Sequence, residues 1–514
     1  MPRDSPSTER LLRDDDEFIN RRRESDTVSN TETDALLDPN LVWWDKDNDA
    51  EHPYNWPRWR TQSNCFLISA MTFLTALASS IIAPGVPQLM TEFQTDNLQL
   101  AAFVVSVYIL GFAAGPLFIA PLSEIYGRVI VYHFCNIGFT VFAAGCALAP
   151  NIHTLIVFRF LNGLFGSCPA TIGGGSITDM IPQNRRASVV AAYSVGALFA
   201  PIIGPLAGGL LAGTLGWRWD FWLLTLSGGV ASIFMFFMLK ETYHPVILER
   251  KAARLRTESD NTHLRSKLNP GLSPRAYFIR NIIRPLNMLM FSPIIIITSL
   301  FIAITYGYMY LLFTSFTQVF GRYYGFTTNT VGFCFLGLGI GSFLGVAVFS
   351  GISDRIMKAK ANADSHCSTG ITMAAQKNGM RPEYRLPPLP WAVLSLAFGL
   401  LMYGWTAELR LHWIFPIIGT VFIGLGQLLL FMVLQMYLID AFTIYAASAV
   451  AAITAVRSIA GALLPLLGLS LYDKLGIGWG NTVLAVVCLP LLVVSHLLVR
   501  YGEALREKFE IKNL

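Results

Sequence analysis

The chain has 514 residues, 53% of them hydrophobic and only 14% charged, with a formal net charge of +5. Soluble domains carry about 25% charged residues. So few charges leave too little polar surface to hold a chain of this size in water, which excludes a string of soluble domains.

Residues 1–60 are of the opposite kind. They hold 9 Lys or Arg, 15 Asp or Glu and few apolar residues, a composition that cannot bury enough surface to fold. They are expected to form a disordered cytosolic tail. The tail has no apolar h-region and so is not a cleaved signal peptide. Glu32-Thr-Asp-Ala-Leu36-Leu37 matches an acidic dileucine sorting pattern, which is short enough for chance to supply.

Twelve apolar runs near 20 residues follow, the length that crosses about 30 Å of hydrocarbon at 1.5 Å per residue. They lie at 64–84, 98–121, 130–149, 153–178, 187–213, 219–239, 291–313, 329–351, 389–406, 412–437, 443–470 and 481–500. In lipid each backbone group must be satisfied internally, so these spans are helices. The reading is an all-α polytopic membrane protein. Counted over alternate loops and tails, 32 Lys or Arg fall on one side and four on the other, Arg218, Arg322, Arg410 and Lys474. Lys and Arg accumulate on cytoplasmic loops, so both termini and the long central loop are placed in the cytosol.

The spans divide six and six. The expected organisation is an N-terminal bundle over 61–240, a basic cytosolic linker over 241–290, a C-terminal bundle over 291–501 and a cytosolic tail over 502–514. The linker contains RKAARLR at 250–256, read as a solvated amphipathic helix near an anionic membrane surface. At equivalent places in the halves stand PLSEIYGR at 121–128 and SGISDRIMK at 350–358. Each sets a serine, an acid and a base at a cytoplasmic helix end. Glu124 and Arg128, with Asp354 and Arg355, are candidates for a latch that pairs across to a neighbouring helix. Six of the seven cysteines lie in or beside spans and none forms a C-x-x-C pair, so they read as packing residues.

PLSEIYGR, then Arg159-Phe-Leu-Asn162-Gly163-x-x-Gly166 in span 4, then Gly204-Pro205-x-x-Gly208-Gly209 in span 5 resemble the ordered motifs of the major facilitator superfamily. More narrowly the chain resembles fungal twelve-span drug:proton antiporters, through WRWDFW at 217–222, ETYHPVIL at 241–248, PEYRLPPLP at 382–390 and YLIDAFTIYAASAVAA at 437–452. The likeness runs from about residue 53 to 500. It departs at Ala120, Glu124 and Val129 in the first motif, and at Ala191, Ala200 and Pro201 before the span 5 glycines. The resemblance implies the major facilitator fold, two six-helix bundles with 12 transmembrane helices, and it implies that Arg159 takes part in proton coupling and that the span 5 motif serves export. Physically, Gly204, Pro205, Gly208 and Gly209 predict a bent, close contact at the interface of the halves, because small residues admit a neighbouring backbone and proline kinks a helix.

Two full charges lie deep in spans, Arg159 and Arg457, and an intramembrane charge is a functional hypothesis by default. No Asp or Glu sits mid-span. The titrating group that proton coupling needs is therefore sought at the edges, in Asp179, Asp220 and Glu124, with His133 near the start of span 3. A buried cation needs a counter-charge, and this pathway offers arginines, so the expected substrates are small lipophilic compounds, neutral or anionic. Tyr306, Tyr310, Phe313 and Thr317 form a stripe on span 7. With Tyr108, Asn136, Asn162, Tyr193, Gln427, Gln435 and Arg457 they are candidates to line an adaptable, greasy pathway.

There is no nucleophile triad, metal cluster or phosphate loop, and Gly173-Gly-Gly175 follows no strand. No enzyme activity, cofactor, metal or nucleic acid is expected, and without a Walker motif the energy must come from a gradient. The leading reading is a monomeric proton antiporter that exports drugs, fungicides or toxic secondary metabolites across the plasma membrane, with the vacuolar membrane as the alternative. The rivals are a facilitator or nutrient importer of the same fold and a non-transporting membrane sensor.

Overall fold

A computed structural model describes residues 40–45, 49–259, 261–268, 274–367, 382–442 and 446–508. Ten apolar helices each hold one predicted span: Arg58–Glu92, Leu98–Tyr126, Arg128–Ala147, Ile152–Met180, Ala192–Leu215, Arg218–Met238, Pro293–Tyr324, Thr328–Ile352, Pro382–Glu408 and Ile414–Phe442. The eleventh, Ser448–Arg506, is 59 residues long, about 88 Å at 1.5 Å per residue, more than twice the hydrocarbon thickness. It holds two spans. The chain reverses at Gly476, where φ is 80° and ψ 172°, a conformation open to glycine because it lacks Cβ. The Glu408 carboxylate then accepts the N–H groups of Ile477 at 2.8 Å and Gly478 at 3.3 Å, capping span 12. Twelve spans are thus present, as the hydropathy pattern predicts.

The ends differ from the sequence reading in informative ways. Span 7 continues to Tyr324, where Gly325 adopts the left-handed conformation and stops it. The apolar run marks only the part in hydrocarbon, while helical hydrogen bonding continues into water. Span 1 breaks after Ala78 and resumes as a 3-10 turn, Ala83–Gly85, and a short helix, Val86–Glu92. Pro84 and Pro87 lack the N–H groups that continuity would require. Span 4 breaks at Ser167, ahead of Pro169.

Spans 2 and 4, 3 and 6, and 1 and 5 pack within the first half; spans 9 and 10, 8 and 10, and 7 with 11 and 12 pack within the second. Between halves, span 5 packs on span 8 and span 2 on span 11. Named joining contacts lie at the end away from the termini: Gln99 Nε2 donates to Ser470 Oγ at 2.7 Å, and Thr317 Oγ1 to the Ala83 carbonyl at 3.0 Å. The outer wall exposes Phe134, Trp391, Leu467 and Phe237, the last at 80%. A belt of that kind is an aggregation liability in water and the lipid-facing surface in a membrane. Cys65, Cys135, Cys146, Cys168, Cys334 and Cys488 are free and buried, while the Cys367 side chain lies outside the described residues.

The pre-span segment departs from the disordered tail expected over 1–60. The dileucine pattern lies outside the described residues, but 40–45 and 49–57 form a strap across the linker. Leu41–Val42 pairs in parallel with Arg265–Ser266. Lys251, on the linker helix His244–Ser259, bonds Asp45 and Asp49, each at 2.8 Å, and Arg254 bonds Glu51 at 2.7 Å. The rings of Trp44, His52 and Tyr54 pack around His244 at 5.9, 5.1 and 5.4 Å. Composition could not show this order, because the partners of these acids lie some 200 residues away in sequence.

Burial works against the charge of Asp49, but hydrogen bonds from Lys251 and from the N–H groups of Glu51 and Asp45 prevail and hold its carboxyl below the usual range. Burial likewise opposes the Lys251 ammonium, and its bonds to Asp45 and Asp49 hold it above the ordinary lysine value. The pair therefore stabilises the strap throughout the neutral range. Its contribution is lost as pH falls through the lowered Asp49 pKa, and again as pH rises through the raised Lys251 pKa. Lys251→Met leaves Asp49 buried without its cation, a cost on the order of 1–3 kcal/mol. Amide hydrogen exchange across 41–57 is expected to rise roughly tenfold to a hundredfold at neutral pH; unchanged exchange would show that the strap does not depend on this pair.

Candidate functional site

The site is built around backbone carbonyls, several of them set free by helix breaks. Because span 1 ends at Ala78, the Ala83 N–H turns to the Ser80 carbonyl at 3.0 Å and leaves that of Ser79. Arg159, fully buried in span 4, takes these groups up. Its guanidinium donates to the carbonyls of Ala78 at 2.7 Å, Ser79 at 3.3 Å, Val104 at 3.2 Å and Val105 at 3.3 Å. It also lies over the rings of Tyr108 at 4.8 Å and Phe221 at 5.6 Å. Spans 1, 2 and 6 thereby converge on one charge from span 4. Tyr108 in turn donates its hydroxyl to the Thr75 carbonyl at 2.7 Å.

Two prolines extend the scheme. Pro205 has no N–H for the Pro201 carbonyl four residues back, and Ser80 Oγ donates to that oxygen at 2.6 Å. Pro87 likewise leaves the Ala83 carbonyl open, and Thr317 of the second half fills it. The span 5 motif divides its contacts. Gly204 faces Ser80 and the Leu77 carbonyl of span 1, and a Cβ at Gly208 would run into the Ile81 carbonyl oxygen. A Cβ at Gly209 would lie 2.9 Å from Gly332 Cα, in span 8 of the other half. The motif is a three-way contact, with Gly209 at the boundary between halves and Gly204 and Gly208 turned to span 1.

Asp220 stands out among the edge acids. It lies in the first turn of span 6, yet it has no accessible surface and neither carboxylate oxygen has a hydrogen-bond partner among the described residues. Arg159 is the opposite charge acting on it. The sequence placed Asp220 at a span edge; the fold folds that edge inward beneath Trp217 and Arg218. Arg218 ties down to Glu92 at 2.7 Å and to the Ala147 carbonyl at 2.6 Å, which covers this end of the half.

The latch residues are arranged differently from the pairing read in the sequence. Arg128 bonds Ser123 at 2.8 Å, pairs with Asp179 at 3.5 Å and lies over the Tyr243 ring at 4.7 Å. Its backbone N–H donates to Glu241 at 2.9 Å. Glu124 is half-buried and adds its charge to Arg128. These partners belong to the first half and the start of the linker. Arg355 is exposed, and the Asp354 side chain lies outside the described residues. In the second half the equivalent of Arg128–Asp179 is Arg385–Asp440, joining the start of span 9 to the end of span 10. There Arg506 also holds Glu383 at 2.9 Å, as Glu241 holds the start of span 3. Sequence reasoning noted PEYR and YLIDAF without seeing that they meet.

The pathway candidates separate into two groups. Asn136 directs its amide to Met235 Sδ at 3.1 Å, Asn162 to the Phe139 carbonyl at 2.8 Å and Tyr193 its hydroxyl to the Pro169 carbonyl at 3.0 Å. All three join helices inside the first half, and His133 only packs on Phe236, at 5.3 Å. Tyr306 and Tyr310 instead stack at 5.1 Å, with Phe313 at 5.3 Å beyond. The Tyr310 hydroxyl faces Ser79 and Tyr306, from the second half toward the Arg159 site. Gln427 contacts Met309 Sδ at 3.0 Å. Arg457 lies over Tyr306 at 5.0 Å and Phe431 at 5.4 Å, and Gln435 is half-buried one turn beyond Phe431.

Residues 68–364 match the Major Facilitator Superfamily. The MFS-type transporter tndD of Aspergillus flavipes is 51% identical over 93% of this chain and 87% of its own length. The efflux pump radE of Floropilus chiversii is 44% identical over 92% and 87%. Among solved structures, the D-xylose-proton symporter aligns with a TM-score of 0.62 at 12% identity, over 83% of this chain and 97% of its own; that likeness speaks to the fold. The chain belongs to the major facilitator superfamily and is a multi-pass membrane transporter.

The carbonyl scheme requires spans 1 and 5 to touch. Gly208→Ala is expected to push them apart, disturb the Ser80–Pro201 bond and cost on the order of 1–3 kcal/mol, seen as a melting temperature several degrees lower in the purified protein. Gly174→Ala, whose Cβ would have nothing within 4 Å, is the matched control and should melt close to wild type. Equal melting of both variants would remove the close approach from the explanation.

Proposed function

We propose that this transporter exports small lipophilic compounds, neutral or anionic, by exchange for protons, working as a monomer through alternating access between its two halves in the plasma membrane. The observation that carries the reading is Asp220: a buried carboxylate with no hydrogen-bond partner among the described residues, lying in the field of the Arg159 charge without an ion-pair contact to it. A carboxylate so placed has two tolerable states, protonated and neutral, or ionised beside the guanidinium. Exchange between them is what proton coupling requires. The carbonyls that hold Arg159 come from the broken end of span 1 and from span 2, and Thr317 fastens that end of span 1 to the second half. Rearrangement of the halves would therefore alter the surroundings of the Arg159–Asp220 pair directly.

The direction of transport is supported by the span 5 glycine contact and by the likeness to a protein named an efflux pump. The substrate class is supported by the charges along the inner faces, two arginines with aromatic neighbours. Secondary metabolites, fungicides and other toxic compounds fit such a surface.

The test uses proteoliposomes with a pH-sensitive dye inside and an imposed proton gradient. Neutral, anionic and cationic lipophilic compounds are added in turn. Compound-dependent proton movement is expected in the wild type for neutral or anionic compounds. Asp220→Asn, which keeps shape and removes titration, should reduce it at least about tenfold while the protein stays folded. Compound flux without proton movement in the wild type would mean a facilitator, and proton movement untouched by Asp220→Asn would move the coupling group elsewhere.

A further inference from the structure

The two intramembrane arginines have the same charge and opposite circumstances. Arg159 is fully buried, and four carbonyls satisfy its guanidinium. Arg457 lies in span 11, about 16 Å along its helix from Ala446, and is only half-buried. Two rings face its guanidinium, but its Nε is buried without an acceptor, and among the described residues it has no carboxylate partner. Cation–π contacts lower the cost of placing a guanidinium in a low-dielectric interior, but they do not neutralise its charge.

Three helices frame the space in front of it. Span 10 presents Gln427, Phe431 and Gln435, four residues apart and so on one face. Gln435 Oε1 is buried without a partner. Span 7 presents Tyr306. Span 11 presents Gly461 one turn after Arg457, with no Cβ between its backbone and the rings of Tyr306 and Tyr310. Tyr306, Phe431, Gln435 and Arg457 are each half-buried among fully buried neighbours such as Tyr310, Leu430 and Leu434, so each keeps some accessible surface. One cation, amides and ring faces meet there, with no acid among the described residues.

We propose that Arg457 is the anion receptor of the transport pathway, and that preferred substrates are lipophilic organic acids: a ring-bearing apolar body with a carboxylate or an acidic phenol. Such an anion supplies the missing counter-charge and accepts paired N–H bonds from the planar guanidinium. The ring body lies against Tyr306 and Phe431. This inference rests on the transport reading above and narrows it, from neutral or anionic compounds to anions, and from the pathway at large to one subsite in the second half.

The test compares acids with their methyl esters on three bodies, benzoate, 1-naphthoate and 9-anthracenecarboxylate, in equilibrium binding to the purified full-length protein. For at least one body the acid is expected to bind about tenfold or more tightly than its ester. Arg457→Gln should erase that difference, and Arg457→Lys should keep part of it, with both variants checked for a wild-type melting temperature. The proposal is overturned if no acid outbinds its ester in the wild type, or if Arg457→Gln leaves the acid preference intact. If Arg457→Gln does not fold, Arg457→Lys and the wild-type acid-to-ester ratio carry the decision. Transport is read separately, as flux of the same probes in proteoliposomes. Acid-selective binding without flux would sink the exporter reading and spare the anion site; flux of esters and acids alike would do the reverse.

Discussion

A backbone carbonyl that loses its helical donor inside hydrocarbon has no water to turn to. This chain creates that difficulty repeatedly, and the contacts at the broken end of span 1 are assembled from the remedies. The break after Ala78 releases two carbonyls to Arg159. Pro205 releases the Pro201 carbonyl to Ser80, and Pro87 releases that of Ala83 to Thr317. Each remedy comes from a different helix, so each proline or break becomes a tie. The ties meet at the upper part of span 1, which joins spans 2, 4 and 5 of its own half to span 7 of the other. A change in the relation of the halves cannot leave that region as it was.

Close packing depends on the same geometry. Ser80 reaches the Pro201 carbonyl because Gly204 and Gly208 let span 5 lie directly on span 1. On the next residue, Gly209 meets Gly332 with no side chain between them. A contact made of backbone has little shape of its own to resist sliding or parting, while larger side chains would interlock. Glycine here gives proximity together with freedom to separate, which suits a boundary that must open and close. The halves meet through such contacts at the end away from the termini. At the opposite end each half is tied within itself, by Arg128–Asp179 and by Arg385–Asp440.

Periodic, local features were legible in the sequence. Twelve apolar runs give twelve spans, and of the two arginines in hydrophobic surroundings one is fully buried and the other half-buried against aromatic rings. The readings that changed all depended on contacts distant in sequence. Asp220 looks like an edge acid because it follows Trp217-Arg218-Trp219, and only the inward fold of that corner removes it from water. Residues 40–45 and 49–57 look disordered because the cations that organise them sit on the linker. Glu124 and Asp354 stand in similar words in the two halves, while the described ion pairs at equivalent helix ends, Arg128–Asp179 and Arg385–Asp440, join residues that no short motif connects. Asn136 and Asn162 have the composition of pathway residues, and the fold spends their amides on joining spans 3, 4 and 6.

Charge accounting joins the two halves into one argument. The first half holds a cation and an acid that can neutralise each other, with carbonyls to stabilise the cation when the acid carries a proton. The second half holds a cation with ring faces around it and no acid of its own among the described residues. A cycle in which the proton sits in the first half and the compound's charge in the second needs no direct contact between them. Tyr310 stands between the two, its hydroxyl turned toward Ser79 and Tyr306. A hydroxyl so placed can donate toward either side, and its preference must follow which side carries negative charge. Tyr310 and Tyr306 are thus described polar groups lying between the two arginines, and under the proposed exchange the coupling of proton to compound would act along them or move the helices that hold them.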